Sequence, residues 1–245
     1  MIEVLEGIVI SELDYKESSK IVNILCKEYG VIGVICKGCK RLKSNYKISK
    51  LTYAKMHIKY KENSLSTLVD LDIINNFKNI KKDLIKSSYS NYILELSHQV
   101  YKHDQDNNIY DLLINSLIKI EEGLNPKIIT NILELKLLDN LGIRPILDYC
   151  VNCNTKSNII TISSYKGGLL CNKCLNNEKI YDNKTIKLIR MFYYVDISKL
   201  TKLDISERIV DEIDSFIDDY YDRYSGLYLK SKQFLKNIKS LGSGK

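Results

Sequence analysis

Four of the seven cysteines stand in two matched pairs, Cys150-Val-Asn-Cys153 and Cys171-Asn-Lys-Cys174, with 17 residues between them. A Cys-x-x-Cys turn aims two sulfurs at one point, and two such turns at this separation supply the four thiolates that fill the tetrahedral shell of Zn2+. A full shell leaves no position for water or substrate. The spacing therefore predicts a structural zinc ion held by Cys150, Cys153, Cys171 and Cys174. Between the pairs, Ile159-Ile-Thr-Ile162 and Lys166-Gly-Gly168 read as a hairpin that brings them together. This excursion has too few apolar residues to fold without the metal. The competing reading is two unrelated reduced pairs or a redox dithiol.

A second constellation is cationic. Residues 37–61 hold nine Lys or Arg and no acid, with Tyr46, Tyr53 and Tyr60 interleaved. Cations that follow phosphates and rings that stack on bases are the means by which single strands are held. Lys37, Lys40, Arg41, Lys43, Lys47, Tyr46 and Lys55 are thus the candidate DNA contacts, while Tyr60 shares an apolar stripe and is assigned to the core. The plain alternative is a solvated lysine face enlarged by an A+T-rich genome. Lys230, Lys232, Lys236 and Lys239 allow either a solubilising face or a second nucleic-acid contact.

Other chemistry finds little support. Cys36-Lys-Gly-Cys39 has only Cys26 and His57 nearby to complete a metal shell, and a thioredoxin-like role needs a βαβ setting. Cys36 is read as a buried strand thiol and Cys39 as a small loop residue. None of the three histidines, His57, His98 and His103, stands beside a recognisable nucleophile, and no P-loop, Gly-x-Ser-x-Gly or paired-carboxylate motif occurs. The chain is expected not to be an enzyme. Eight acids between residues 204 and 222 read as a solvated or partner-facing surface, with divalent-cation binding as the alternative.

Composition sets the frame for these sites. At 245 residues and 44% apolar content the chain can bury a core of one large or two modest domains. Glu3 and Glu6 stand where a secretory signal needs positive charge, and no apolar run reaches the roughly 20 residues of a membrane helix. The expected location is the cytoplasm, where thiols stay reduced and cysteine clusters serve metals. Net charge is only +7, less than the basic segments alone supply, so the rest of the chain is net acidic and the charge is segregated.

Period-two patterning up to about Asn75 predicts strands at 4–10, 20–27, 31–36, 53–60 and 65–73. Ala54, Met56, Ile58 and Tyr60 alternate with Tyr53, Lys55, His57 and Lys59, and Glu28-Tyr-Gly30 supplies a turn with a glycine free to take positive φ. Five short strands fit a small closed barrel, of OB or SH3-like type. After Asn79 the period becomes helical: Leu84 to Val100, Leu112 to Ile120, a segment from Asn125 to Gly142 with Pro126 at its first turn, then 183–195 and 206–224. Strands first and helices afterwards predict an α+β protein, divided at 1–78 and 79–245, with the cysteine insertion at about 148–180.

Several segments, taken in order, are similar to the RecO family of recombination mediators: Glu6-Gly-Ile-Val-Ile10, Asp14-Tyr-Lys-Glu-Ser18, Lys20-Ile-Val22, Glu28-Tyr-Gly30, Lys37-Gly-Cys-Lys-Arg41, Glu134-Leu-Lys-Leu-Leu138, Leu141-Gly142, Pro145, Asp148-Tyr-Cys150-Val-Asn-Cys153 and Gly167-Gly168 before Cys171. The resemblance spans nearly the whole chain. It implies an N-terminal OB-fold β-barrel, then an all-helical domain with an inserted four-cysteine zinc finger. It also implies a part in the RecF pathway of DNA repair and recombination: binding single- and double-stranded DNA, annealing strands, and joining RecR and the acidic C-terminal tail of single-strand-binding protein (SSB) to help load RecA. Barrel contacts to DNA would fall on Lys37, Lys40, Arg41, Lys43 and Lys47. Cys39 departs from the family, which more often has a small alanine-like residue there. Two rivals remain on the residues alone: a zinc-stabilised protein adaptor that does not touch DNA, and a nuclease using the acidic helix.

Overall fold

The computed structural model describes residues 2–41 and 47–242. Five strands come first: β1 (Ile2–Tyr15), β2 (Ser19–Cys26), β3 (Gly30–Cys36), β4 (Tyr53–Lys59) and β5 (Ser66–Asn75). They close in the order β1-β2-β3-β5-β4, β4 returning to β1. Only β3 and β5 run parallel. This is the five-stranded Greek-key closure of an OB barrel, which sets aside the SH3-like alternative. β1 serves two partners, pairing with β4 over residues 2–8 and with β2 over 7–15, and a register shift between Val9 and Ser11 bends it. Val9, Val22, Ile24, Val34, Ala54, Met56 and Ile58 fill the interior. Gly30 is the turn glycine the sequence requires: its φ is +64°, and the ring of Tyr101 occupies the space a Cβ would need.

Seven α-helices follow among the described residues: α1 (Lys78–Lys82), α2 (Leu84–Tyr101), α3 (Asn108–Glu121), α4 (Pro126–Asn140), α5 (Asn183–Tyr194), α6 (Glu207–Tyr224) and α7 (Lys230–Gly242). α4 starts where Asn125 accepts from the amides of Lys127 and Ile128 with Pro126 in the first turn, and the chain leaves it through Gly142 at φ +68°. From Ile128 to Leu138 it offers almost no exposed face, so it forms the centre of the bundle, with α2, α3, α5 and α6 packed around it. The barrel joins this core. Ile8, Ile10, Leu25, Tyr53 and Phe77 pack in one cluster with Tyr92, Ile93 and Leu96. Tyr53 therefore does not belong to an outward basic face: it is 8% exposed, and its hydroxyl donates to Glu6.

α1 and α7 are not legible in the sequence. α1 is too short to hold itself; the Glu121 carboxylate accepts from the amides of Asn79 and Ile80 at 3.0 and 2.9 Å. α7 starts on Glu95, which accepts from the amides of Lys230 and Ser231. It carries Lys232 inward to Asp218 at 2.8 Å. That lysine is only 15% exposed, so it is neither a solubilising group nor a DNA contact. The acids of α6 are largely paired within the chain, although Asp211 and Asp222 also reach solvent. Asp211 and Asp214 meet Lys127, Asp218 and Asp222 meet Lys232, Glu212 meets Arg208, and Asp219 accepts from Ser164 and Arg223. Among the described residues no helix is long and apolar enough to cross a membrane.

Glu134 lies inside this network, 4% exposed on α4, accepting from the Tyr92 hydroxyl. Burial pushes its carboxyl up to about 8; Tyr92 pulls the other way, and the charges of Asp214 and Asp218 reinforce the rise. The folded state thus holds a proton there that the unfolded chain releases near the ordinary carboxylate value. Its contribution is complete below that value and declines as pH rises through the folded one. Thermal melts of the wild-type chain should fall more steeply between pH 5 and 8 than those of Glu134→Gln, whose amide does not titrate. Parallel slopes for the two proteins would refute the assignment.

Candidate metal centre and nucleic-acid interface

The cysteine excursion is a small sheet with two turns at its edge. β6 (Ile159–Ser163) and β7 (Gly168–Cys171) form the predicted hairpin. The chain preceding Cys150 runs beside β7: the Ile146 amide donates to Gly167, Leu169 donates to Ile146, and Val151 donates to Leu169. This close approach explains the paired glycines. Gly167 has φ +78°, and a Cβ on Gly168 would strike the Ile146 carbonyl. The first thiol turn is tied by Cys150 N to Thr155 O and Asn154 N to Cys150 O, each 2.8 Å; the second by Leu175 N to Cys171 O at 3.1 Å.

These turns bring the sulfurs of Cys150, Cys153, Cys171 and Cys174 within 4.8 Å of one another, with Cys153 and Cys171 at 3.6 Å. A tetrahedral metal with bonds of about 2.3 Å sets its sulfurs roughly 3.8 Å apart, so the cluster has the size such an ion needs. Its electrostatics also suit a cation. Burial opposes ionisation of Cys150, but the amides of Cys171, Cys153 and Asn152 bring its thiol down to about 6, whereas Cys174, hydrogen-bonded to Cys153, is pushed up to about 12. Four sulfurs this close do not all ionise without a cation between them. Cys150 and Cys171 are buried and Cys153 lies at the rim. The four residues can hold a metal ion, and four thiolate ligands complete its shell.

The basic segment does not act as one surface. Lys37, Lys40 and Arg41 are exposed just past β3, at the barrel end where β1 turns into β2. The Lys40 amide donates to Ser18, and its ammonium meets Asp14 at 2.7 Å. Both partners of that ion pair reach solvent, so phosphate can compete for the lysine. Tyr15, Lys16, Ser18, Lys37, Gly38 and Arg41 line a hollow of about 310 Å3, with the Lys16 ammonium 5.3 Å from the Tyr15 ring centre. Lys47 is exposed where the described chain resumes. Lys43 and Tyr46 lie outside the described residues.

Lys55 stands elsewhere. Its ladder partners are Glu6 on β1 and Asp72 on β5, so acids flank it on both sides. Glu6 and Asp14 are eight residues apart along β1, roughly 26 Å of strand. Lys50 is half-buried, and Tyr60 stacks on Tyr29 at 4.3 Å while packing against the barrel core. Cys39 is more than a small loop residue: it is 9% exposed and joined to Cys36.

Sequence reasoning missed an apolar strip on the outer side of the barrel. Leu13, Ile21 and Ile35 are direct neighbours across β1, β2 and β3, and residues directly opposite in antiparallel strands share a face. Leu13 is 67% exposed. Ile21 and Ile35 are half-buried, and Ile35 reaches the hollow that holds Lys37 and Tyr15. Only the alternation of Ile21 and Ile35 against inward Val22 and Val34 hints at this strip, and it is hidden in nearly continuous apolar runs.

A closed OB barrel continued by a helical bundle with a thiolate-lined insertion defines a class of two-part proteins, here with exposed cations at the barrel end. Two family descriptions divide this chain between them: "Recombination protein O N terminal" matches residues 1–77 and "Recombination protein O C terminal" matches residues 81–233. Proteins named "DNA repair protein RecO" are similar over almost their full length. The one from Listeria innocua is 34% identical over 238 residues, covering 95% of this chain and 93% of its own. That from Halalkalibacterium halodurans is 34% identical over 243 residues, covering 97% and 95%. That from Bacillus subtilis is 33% identical over 243 residues, covering 96% and 94%. The chain belongs to the RecO family.

Removing a metal held by these four thiolates should unfold the excursion and loosen α5 and α6, against which β6 and Tyr181 pack. A strong chelator or Cys171→Ser is expected to lower the melting temperature together with metal content. Unchanged melting after complete loss of metal would show that the cluster is not structural.

Proposed function

We propose that this chain is a non-enzymatic recombination mediator that binds single- and double-stranded DNA through its barrel and carries a structural Zn2+ in its helical body. The names of its relatives place them in DNA repair, and the family membership supports the same part for this chain. The observation that carries DNA binding is the joining of the strip Leu13-Ile21-Ile35 to the hollow at the barrel end. There Lys16, Lys37, Lys40 and Arg41 offer phosphate contacts, and Tyr15 with the strip offers a surface for bases. The strand β2–β3 side is also where OB folds generally take oligonucleotides. The complete thiolate set favours zinc over metals that need open or oxygen-rich shells.

In this reading the barrel holds the sugar-phosphate chain while the helical body receives RecR and the acidic SSB tail, so RecA is loaded through proximity without bond-making by this protein. Annealing uses the same sequence-tolerant grip on two strands. Phosphate contacts impose salt dependence, since each displaced counterion steepens the fall of affinity with salt.

Salt-titrated binding to a single-stranded oligonucleotide tests the reading. Lys37→Ala with Arg41→Ala should reduce the log–log salt slope by about 1.4, from roughly 0.7 per lost phosphate contact. Lys55→Ala should leave it unchanged, and Tyr15→Ala should weaken binding by about 1–3 kcal/mol, the range of one stacked base. Equal slopes for wild type and the double variant, or no binding near physiological salt, would favour a protein-only adaptor.

A further inference from the structure

We propose that Cys36 and Cys39 form a reversible dithiol–disulfide pair that sets how tightly the adjoining cationic tip holds DNA; the affinity part of this proposal rests on the DNA-binding reading above. Cys36 is the last residue of β3 and Cys39 lies in the turn beyond it. Their Cα atoms are 5.8 Å apart, within the span a disulfide bridges, and the turn between β3 and Arg41 brings the two side chains together. The third thiol of this barrel is not part of the pair: Cys26 donates to the Gly30 carbonyl at 3.4 Å, and burial pushes it up to about 11. Three of the four thiols of the metal cluster, Cys150, Cys171 and Cys174, belong to a separate hydrophobic cluster.

The pair sits at the base of the tip. Lys37 and Gly38 lie inside the ring it closes, and Lys40 and Arg41 follow directly. Gly38 holds φ +73° and accepts from the Arg41 amide at 3.1 Å, while the Lys40 amide donates to Ser18 at 3.0 Å. With the ring closed, the backbone that presents these cations is tethered to the buried end of β3. With it open, a glycine with wide conformational freedom adds states that DNA binding must remove. The closed form should bind more tightly.

The oxidant required is a low-molecular-weight disulfide. Cys39, 9% exposed against 1% for Cys36, lies nearer the surface and attacks first. Its thiolate displaces one thiolate from the small disulfide and forms a mixed disulfide. The Cys36 thiolate then attacks the Cys39 sulfur and expels the second. Two electrons pass from the cysteine pair to the small disulfide, and the two thiol protons end on the two small thiols released. Excess small dithiol reverses the sequence. Cytoplasmic disulfides are commonly of this transient kind.

The test uses the full metal-loaded chain equilibrated in buffers of graded thiol–disulfide ratio. Alkylation and peptide mapping should find Cys36 linked to Cys39 on the oxidising side while metal content stays constant. DNA affinity at fixed salt should rise about three- to tenfold on oxidation, as expected when one or two side chains need less ordering. Cys39→Ala should bind like the reduced wild type at every ratio. A map lacking the Cys36–Cys39 link overturns the pairing. Equal affinity of the two forms, or a redox response that survives in Cys39→Ala, overturns the control. If neither form retains DNA, the DNA reading itself fails and the control fails with it, while the map still decides the chemistry of the pair.

Discussion

Apolar contact between the barrel wall and the helices decides which part of this molecule can meet a partner. Ile8, Ile10, Leu25, Tyr53 and Phe77 leave the barrel and complete the helical core. Lys27 then reaches Asp111 of α3 at 2.9 Å, and Tyr110 donates to the Glu6 carbonyl. One flank of the barrel is therefore spent on cohesion. What stays open is the side built from the far halves of β1, β2 and β3, and there the cations and the exposed Leu13 occur together. That open side is defined as much by what the bundle covers as by the residues it displays.

Much of this was legible in the sequence. Four of the five strands fall within two residues of the predicted ranges because each alternates inward and outward or is closed by a turn residue, whereas β1 runs to Tyr15, five residues past the predicted end at 10, because β2 pairs with it that far. α4 shows its start and stop plainly, since Asn125, Pro126 and Gly142 act locally. The cysteine cluster is equally readable, because ligand type and spacing alone specify it. What eluded the sequence depends on distant partners. α1 exists through a carboxylate some forty residues away, and α7 through Glu95 and the acids of α6. The outward strip arises from register between strands, which pairs Ile21 with Leu13 and Ile35. Lys55 looked like its basic neighbours until the ladder placed Glu6 and Asp72 beside it.

The charge segregation takes on a specific meaning in the fold. The acids of α6 are not a free face; they receive Lys127 from α4, Lys232 from α7, and Ser164 from the cysteine hairpin. One helix thereby ties three parts of the chain together, and Asp214, Asp218 and Lys232 lie beside Glu134. Exposed ion pairs contribute little, but those with a half-buried lysine lose more if one partner is removed, because a charge is left without compensation. At the basic barrel end, among the described residues, Lys40 pairs with Asp14 and Lys20 with Glu12, while Lys16, Lys37 and Arg41 line the hollow.

The passage from barrel to bundle is also short and stiff. Phe77 takes a left-handed conformation with its side chain fully buried, Asn75 accepts from its amide at 2.8 Å, and Glu121 grips the helix that begins one residue later. A joint of this kind does not act as a swivel. On the DNA-binding reading proposed above, torque on the barrel from a taut or bent polynucleotide would pass directly into α1 and α3, and a protein docked on the bundle would ride at a fixed angle to the strand.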